Sequence, residues 1–126
     1  MDEAVRLALA RWPNVPSCTG WLRLSRRGEW CVPEGPVRHA GLAAFIGRNY
    51  ACDKQGRWYF QNGPQRVYVE LAATPWVWRL SADFKLTAQT GEETPAQTCW
   101  TDETGKVYFQ TPLGFGLLHT LDVAQA

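Results

Sequence analysis

A turn-like segment recurs in this chain and constrains its fold more than any other feature. The segment "DKQGRWYFQ" (53–61) returns as "DETGKVYFQ" (102–110), with a weaker echo in "SRRGEWCV" (25–32). Each copy begins with Asp or Ser, whose side chain accepts hydrogen bonds from a turn backbone. A glycine follows, which supplies the positive φ of the bulge that closes a type I turn, and a strand-like run comes after it. The repeat therefore predicts three β-hairpins.

Two helices are predicted beside the hairpins. Asp2 is expected to cap the first, in which Val5, Ala8, Leu9 and Trp12 form an apolar stripe that we expect to bury the Trp12 ring against the sheet. The second is a short helix in "AGLAAFIG" (40–47), where Leu42, Phe45 and Ile46 have helical spacing. His39 is expected to cap or pack at its start, and Gly47 or Asn49 to end it in the left-handed conformation.

The fold class predicted is α+β. We expect a small twisted antiparallel sheet, partly rolled, of about six to eight strands in hairpins, with the N-terminal helix and one short helix packed on it. A chain of 126 residues predicts a single domain spanning 1–126. Most of the seven tryptophans are expected in the core. The segment "TAQTGEETPAQ" (87–97) is predicted to be the least ordered loop, and "TCW", "KVYFQ" and "GFGLLHTLDV" to be strands.

Charge and cysteine usage narrow the functional classes. The net charge is +1, so the chain as a whole does not attract polyanions. The four cysteines form no C-x-x-C pair, the first residues carry acids rather than a basic leader, and no apolar run has membrane length. We therefore expect a cytoplasmic protein with reduced thiols, no membrane association, no cofactor and no metal.

The stretch "GRWYFQNGPQRVYVEL" (56–71) supplies the candidate functional surface. Alternation predicts that Trp58, Phe60, Val67, Val69 and Leu71 face the core. The opposite parity is polar and aromatic, and consists of Tyr59, Gln61, Arg66, Tyr68 and Glu70. Tyrosine rings can pack on a ligand, a guanidinium can bind an anion, and amides can form hydrogen bonds. The alternative is an ordinary solvated face of cross-strand pairs.

We predict a non-catalytic binding or interaction protein that uses this polar face and the residues beside it. Its partner is an unidentified protein or small molecule. The candidate binding residues are Arg48, Asn49, Tyr50, Tyr59, Gln61, Asn62, Gln65, Arg66 and Tyr68.

The quoted segments also carry resemblances. "WPNVPSCTGWLRL", "GRNYACDKQGRWYFQNGPQRVYVEL" and "TPWVWRL" resemble a small uncharacterised family of proteobacterial proteins, a domain of unknown function. This resemblance implies a bacterial cytoplasmic protein and no particular activity. "GRWYFQN" (56–62) is similar to the middle strand of a WW domain, where paired aromatics bind Pro-rich peptides. The closing Trp-x-x-Pro of that domain is absent, and Pro75 precedes Trp76 instead.

Two alternative functions stay open. The first is a small enzyme with a Cys/His site, built on His39 or Cys52 near the same hairpin; His119, beside Asp122, is expected to be structural. The second is a weak RNA or single-stranded nucleic-acid binder, which the near-zero net charge disfavours. Its platform would interleave aromatics with Arg23, Arg26, Arg27, Arg38, Arg48, Arg57 and Arg66.

Overall fold

Two α-helices, twelve strands and a terminal 3₁₀ helix make up the regular structure of residues 1–125, the part of the chain that the computed structural model describes. The helices are α1 (Glu3–Arg11) and α2 (Ala40–Arg48), and the 3₁₀ helix is Thr120–Gln125. The strands are β1 (Cys18–Leu24), β2 (Trp30–Val32), β3 (Gly35–Pro36), β4 (Tyr50–Cys52), β5 (Trp58–Asn62), β6 (Gln65–Leu71), β7 (Trp76–Leu80), β8 (Leu86–Ala88), β9 (Glu93–Thr94), β10 (Thr98–Thr101), β11 (Val107–Thr111) and β12 (Gly114–Leu118).

The strands form two six-stranded sheets with the same internal order. The first runs β3-β2-β1-β6-β5-β4. The second, read from its far edge, runs β9-β8-β7-β12-β11-β10. In each sheet, the two strands that come first and last along the chain are neighbours at the centre. These are β1 and β6 in the first sheet, and β7 and β12 in the second. The α+β class predicted from sequence is confirmed, and one sheet is strongly curled.

The chain divides into two compact units. One comprises Met1–Leu24 and Trp30–Glu70, and the other comprises Ser25–Glu29 and the chain from Leu71 onward. The single domain expected from the chain length stays a prediction. Whether the two units unfold as one cooperative domain is a question of stability, which the arrangement of the strands does not answer.

The described residues form more strands than the six to eight expected, and β12 pairs with β7 in parallel. The surplus lies in strands of two or three residues, namely β3, β4, β8 and β9, which are too short to give a sequence pattern. The predicted loop 87–97 holds most of β8 and all of β9. Gln89 connects this segment to β7 and the residue before it. Its side chain accepts a hydrogen bond from the backbone N–H of Val77 (2.9 Å) and donates one to the carbonyl of Pro75 (2.9 Å). The expectation that the whole segment is a loop is therefore wrong.

The three predicted hairpin turns are present. Asp53 Oδ1 accepts from the backbone N–H groups of Gln55 (2.9 Å) and Arg57 (2.8 Å). The Asp102 turn and the Ser25 turn have the same pattern of side-chain acceptor and backbone donors. In each turn a glycine has the positive φ that the bulge requires, at 80° for Gly56.

A fourth turn of this kind lacks a glycine and was not predicted. Ser81 Oγ accepts from the backbone N–H of Lys85 (3.2 Å), and the hydroxyl also donates to the Asp83 carboxylate. The position of positive φ is taken by Phe84, at 60°. A phenylalanine in the left-handed region is rare, and without a glycine the sequence carries no turn signal there.

Trp12 is a correction. We expected its ring to be buried, yet the side chain is 51% exposed and the guanidinium of Arg11 lies 4.8 Å from the ring centre. The helix ends at Arg11, because Pro13 disfavours a helical conformation at the residue before it. Trp12 therefore leaves the helical stripe, of which only Val5 is fully buried. Trp12→Ala should consequently have the small effect of an exposed substitution.

The ends of both helices refine other expectations. Asp2 occupies the N-cap position of α1, but its carboxylate forms an ion pair with Arg48 instead of capping the helix (3.2 Å). His39 does cap α2, since its Nδ1 accepts from the backbone N–H of Leu42 (3.1 Å). Asn49 ends α2 at φ −118°, so the predicted left-handed ending is wrong.

Strand alternation predicts the core only in part, because Trp58 and Leu71 of the predicted core face are half-buried, whereas Tyr59 and Gln61 of the opposite face are buried. Phe60, Val67 and Val69 are buried as expected in the first unit. Only three of the tryptophans are fully buried, namely Trp30, Trp76 and Trp78. Trp21 lies on the outward parity of β1, whereas Leu22 and Leu24 point inward. The expectation that most tryptophans are core residues is therefore wrong.

Candidate functional site

A groove of about 480 Å³ opens on the first unit, beside the turn between β4 and β5. The turn supplies one wall, and outward residues of β5 and β6 supply another. Its lining consists of Cys52, Asp53, Lys54, Gln55, Arg57, Tyr59 and Arg66. The volume lies in the range of small-molecule sites.

Alternating cations and aromatic rings stand at this groove. Tyr59 and Tyr68 are a cross-strand pair, and their rings meet edge to face with centroids 6.2 Å apart. The guanidinium carbon of Arg66 lies 3.9 Å from the centre of the Tyr59 ring. That of Arg57 lies 4.8 Å from the centre of the Tyr68 ring. Each guanidinium is thus oriented by an aromatic face, an interaction worth about 0.5–1 kcal/mol at exposed sites.

Asp53 links the turn to this cluster. Its Oδ1 caps the turn, while its Oδ2 accepts from Arg57 Nε (2.8 Å) and from the Tyr68 hydroxyl (3.4 Å). Burial acts to raise the pKa of the carboxyl, but the hydrogen bonds from the Arg57 backbone and guanidinium outweigh it and lower the pKa. Asp53 is therefore an anion at neutral pH.

The groove retains an excess of positive charge. The hydrogen bond with the Tyr68 side chain raises the pKa of Arg66, which is always protonated. Among residues 1–125, no carboxylate forms an ion pair with Arg66 or with Lys54. Three cations therefore line the groove, and Asp53 is the one carboxylate among its lining residues.

Arg48, Asn49 and Tyr50 have structural partners. Arg48 pairs with Asp2, and the buried Asn49 side chain accepts from the Asp2 backbone (2.8 Å) and donates to the carbonyl of Phe45 (2.9 Å). These contacts join α1 to the end of α2. The Tyr50 ring packs between two tryptophans, and burial, followed by the charge of Cys52, raises the pKa of its hydroxyl well above the usual range. None of the three lines the groove.

The amides of the hairpin are also used within the fold. Gln61 is fully buried, and its side chain donates to the carbonyl of Gly63 (3.0 Å). Gln65 donates to the carbonyl of Pro16 (3.2 Å), whereas Asn62 is exposed. Of the nine predicted site residues, the structure gathers Tyr59, Arg66 and Tyr68 into one cluster. The predicted polar face is more buried than alternation suggested, since Tyr59 is 8% exposed.

Arg57, Asp53 and Lys54 were missed as members of this site. The signal was present, because an Asp-x-x-Gly-Arg turn at the end of the hairpin returns the arginine to the Asp carboxylate. The turn and the strands thus form one site, although their sequence patterns are separate. Cys52 also lines the groove, and its thiol donates to the carbonyl of Asp53 (3.4 Å).

The residues of the alternative functions have other roles. His39 is absent from the groove lining and uses Nδ1 as a helix cap. Of the proposed nucleic-acid arginines, Arg48 and Arg57 are already paired with carboxylates.

In the second unit, His119 and Asp122 stabilise the end of the chain. His119 Nδ1 accepts from the Leu121 backbone N–H (3.1 Å), and burial, with the nearby charge of Arg79, lowers the pKa of the imidazole. Asp122 receives Arg79 Nε (2.6 Å) and the backbone N–H of Leu80 (3.1 Å). These contacts match the structural role predicted for His119.

The described residues contain neither a metal-binding cluster nor a helix that could span a membrane. Across residues 1–125, no three His, Cys, Asp or Glu side chains are grouped so that they could hold a metal ion. No helix in the same part of the chain is long and apolar enough to cross a membrane.

Comparison with solved structures finds the fold in two other proteins. The chain is similar to a DUF1285 family protein from Silicibacter pomeroyi DSS-3, with a TM-score of 0.61, 14% identity, and coverage of 93% of this chain and 73% of that one. It is also similar to a DUF1285 family protein from Shewanella baltica OS155, with a TM-score of 0.59, 12% identity, and coverage of 82% and 87%. At these identities the likeness shows a shared fold.

Sequence comparison identifies the family. No curated protein matches the chain. The model of the DUF2944 family, described as "Protein of unknown function (DUF2946)", matches residues 1–126, the whole sequence. The chain therefore belongs to this family of unknown function, as its resemblance to an uncharacterised family indicated.

Proposed function

We propose that this protein is a non-catalytic binding protein whose site is the groove between the Asp53 turn and the outward face of β5 and β6. One observation carries the proposal. Arg66, with no carboxylate partner among residues 1–125, is held 3.9 Å above Tyr59 at the wall of a groove of about 480 Å³. A cation fixed in this way is prepared for a ligand, because binding does not have to order its long side chain.

A small-molecule ligand is favoured over a protein. The groove is concave and has the volume of a metabolite site. The enzyme alternative draws no support from the lining, which contains no histidine and one thiol that donates to a carbonyl. A polyanionic nucleic acid would need a long cationic track, and its binding would draw on many phosphate contacts.

The test compares bound metabolites between variants. The protein is purified from its host under native conditions, and small molecules released on denaturation are identified by mass spectrometry. Arg66→Ala/Tyr68→Ala should lose the ligand that the unmodified protein retains. Glu70→Ala, on the same strand but exposed and outside the groove, is the matched control and should retain it. Equal retention by the folded double variant would exclude this face as the site.

We infer a bacterial cytoplasmic setting for this binding. The support is the state of the cysteines, since Cys52 and Cys99 are exposed and none of the four is in a disulfide within the described residues. Exposed thiols suit a reducing compartment. Alkylation without reductant of protein from cell lysate should modify all four cysteines after denaturation, and a disulfide-linked peptide would contradict this setting.

A further inference from the structure

We propose that the groove binds the phosphate group of a small phosphomonoester. This inference rests on the proposed binding function and names its ligand class. Charge balance in the lining and the geometry of the guanidinium groups support this ligand class.

The charge of the lining matches a phosphate dianion. Lys54, Arg57 and Arg66 contribute three positive charges, and Asp53 contributes one negative charge. The excess of two is close to the charge of about −1.5 to −2 that a phosphomonoester carries at pH 7. A single carboxylate would leave one of these positive charges uncompensated.

The two arginines differ in availability. Arg57 is committed to Asp53 and Tyr68, so it contributes mainly charge. Arg66 lies with one face on the Tyr59 ring, and stacking leaves the N–H edges of a guanidinium available. Its interaction with the Tyr68 side chain uses part of this capacity, while the planar group carries five N–H donors in all. Two adjacent N–H donors of this group can bind two phosphate oxygens at once.

Lys54 completes the arrangement from the turn. Its side chain is exposed, and it belongs to the same groove lining as Arg66. An ammonium binds phosphate as a point charge without a fixed orientation. Arg66 should therefore determine the position of the phosphate, and Lys54 should mainly add affinity.

The test is calorimetric titration with phenyl phosphate, inorganic phosphate and succinate, a dicarboxylate of similar charge. We expect saturable binding of phenyl phosphate and weaker binding of inorganic phosphate. Arg66→Ala should weaken phenyl phosphate binding by about tenfold or more, because a charge-assisted bidentate contact is lost. Arg66→Lys should retain only part of the phenyl phosphate affinity, since lysine lacks the paired N–H donors of a guanidinium.

Two substitutions at exposed positions separate the charge inside the groove, at Lys54, from a matched charge outside it, at Arg23. Lys54→Ala should weaken binding by about threefold, as expected for one screened charge near a ligand. Arg23→Ala removes the same charge from an exposed strand position outside the groove and should leave the affinity within about twofold.

Three results would overturn the phosphate proposal. They are no saturable heat with phenyl phosphate, equal affinity of the unmodified protein and Arg66→Ala, or succinate binding as tightly as phenyl phosphate. If a metabolite is nevertheless retained through Arg66 and Tyr68 in the native purification, the binding function stands and only the ligand class is wrong. If that retention is also absent, both proposals fail.

Discussion

The β4–β6 region of the first unit and the β10–β12 region of the second share strand order and pairing register but present different chemistry. Their inner hairpins pair in the same register, with Tyr59 opposite Tyr68 in one and Tyr108 opposite Leu117 in the other. Both regions begin with an Asp-capped turn. The backbone therefore follows from turn residues and strand pairing.

The outward side chains differ at matching positions. Arg66 faces Gln61 in the first region and covers Tyr59, whereas Phe115 faces Gln110 in the second and stacks on Tyr108 with centroids 5.4 Å apart. Trp100, 46% exposed, extends this second cluster. One scaffold thus carries a cationic groove in one unit and an exposed aromatic cluster in the other. The same strand arrangement is therefore compatible with different surface chemistry.

The largest effect should come from the cores behind these two faces. Val67 and Gly116 hold the same register position, opposite Phe60 and Phe109. A Cβ on Gly116 would lie 2.5 Å from Trp78 Nε1 and 2.6 Å from the Trp76 carbonyl oxygen. Gly116→Ala should therefore destabilise the protein by about 2–3 kcal/mol through overpacking. The measurement is urea unfolding followed by circular dichroism.

The same experiment tests the single-domain prediction. If the two units unfold together, the whole transition should move to lower urea while remaining single. Val67→Ala, a cavity change at the matching position, should move it too. If the units unfold independently, the circular dichroism signal should show two transitions, and the substitution should move only one of them.

The hairpin loops provide the next comparison. Gly63 has φ 56°, whereas Pro112 occupies the corresponding loop position of the second hairpin. Gly63→Ala should destabilise the protein by about 1–2 kcal/mol, because an L-residue is strained in the left-handed region. Asn62→Ala, at the exposed neighbouring position, is the control for substituting a residue of this loop without backbone strain, and it should leave the unfolding midpoint nearly unchanged. An unchanged unfolding midpoint for Gly63→Ala would contradict the assigned backbone conformation.

A stabilising change is expected at the Ser81 turn, where Phe84 holds the position that Gly28 holds in the Ser25 turn. Phe84 is 69% exposed, so its removal costs little packing. Phe84→Gly should stabilise the protein by about 1 kcal/mol by relieving the left-handed strain. Phe84→Ala keeps the strain and should gain little, and equal midpoints for the two variants would refute the explanation.

The smallest effect concerns the pH dependence of the two Asp turns. The hydrogen bond from the Thr104 hydroxyl, with those from the turn backbone, lowers the pKa of Asp102 from 3.8 to about 2, and the pKa of Asp53 is lowered as well. A lowered native pKa adds stability above the unfolded value, and this is lost as the pH falls from about 4 to about 2.

Asp102→Asn keeps the turn acceptor but cannot titrate. It should therefore reduce the change in urea midpoint between pH 5 and pH 2.5 relative to the unmodified protein. Asp53→Asn is the matched variant of the first unit and should act in the same direction. An unaltered pH dependence in both variants would show that these carboxylates are not linked to folding.

Local signals in the sequence determined the hairpins, the helices and the alternation of the central strands. The repeated Asp turns, the buried Val67 and Val69 of β6 and the His39 cap depend on interactions within a few residues, so they can be predicted from neighbouring positions in the sequence. The same locality identified Tyr59, Arg66 and Tyr68 as outward neighbours on one hairpin.

Tertiary structure alone decided which partners these residues have. Packing buried Asn49 under α1, and the Pro13 ending turned Trp12 away from the core. The groove formed only when the Asp53 turn brought Arg57 and Lys54 beside Arg66. The matching strand order of the two sheets likewise depends on pairing between distant segments. Such pairings are selected by the total burial and hydrogen bonding of the folded chain, which no local pattern encodes.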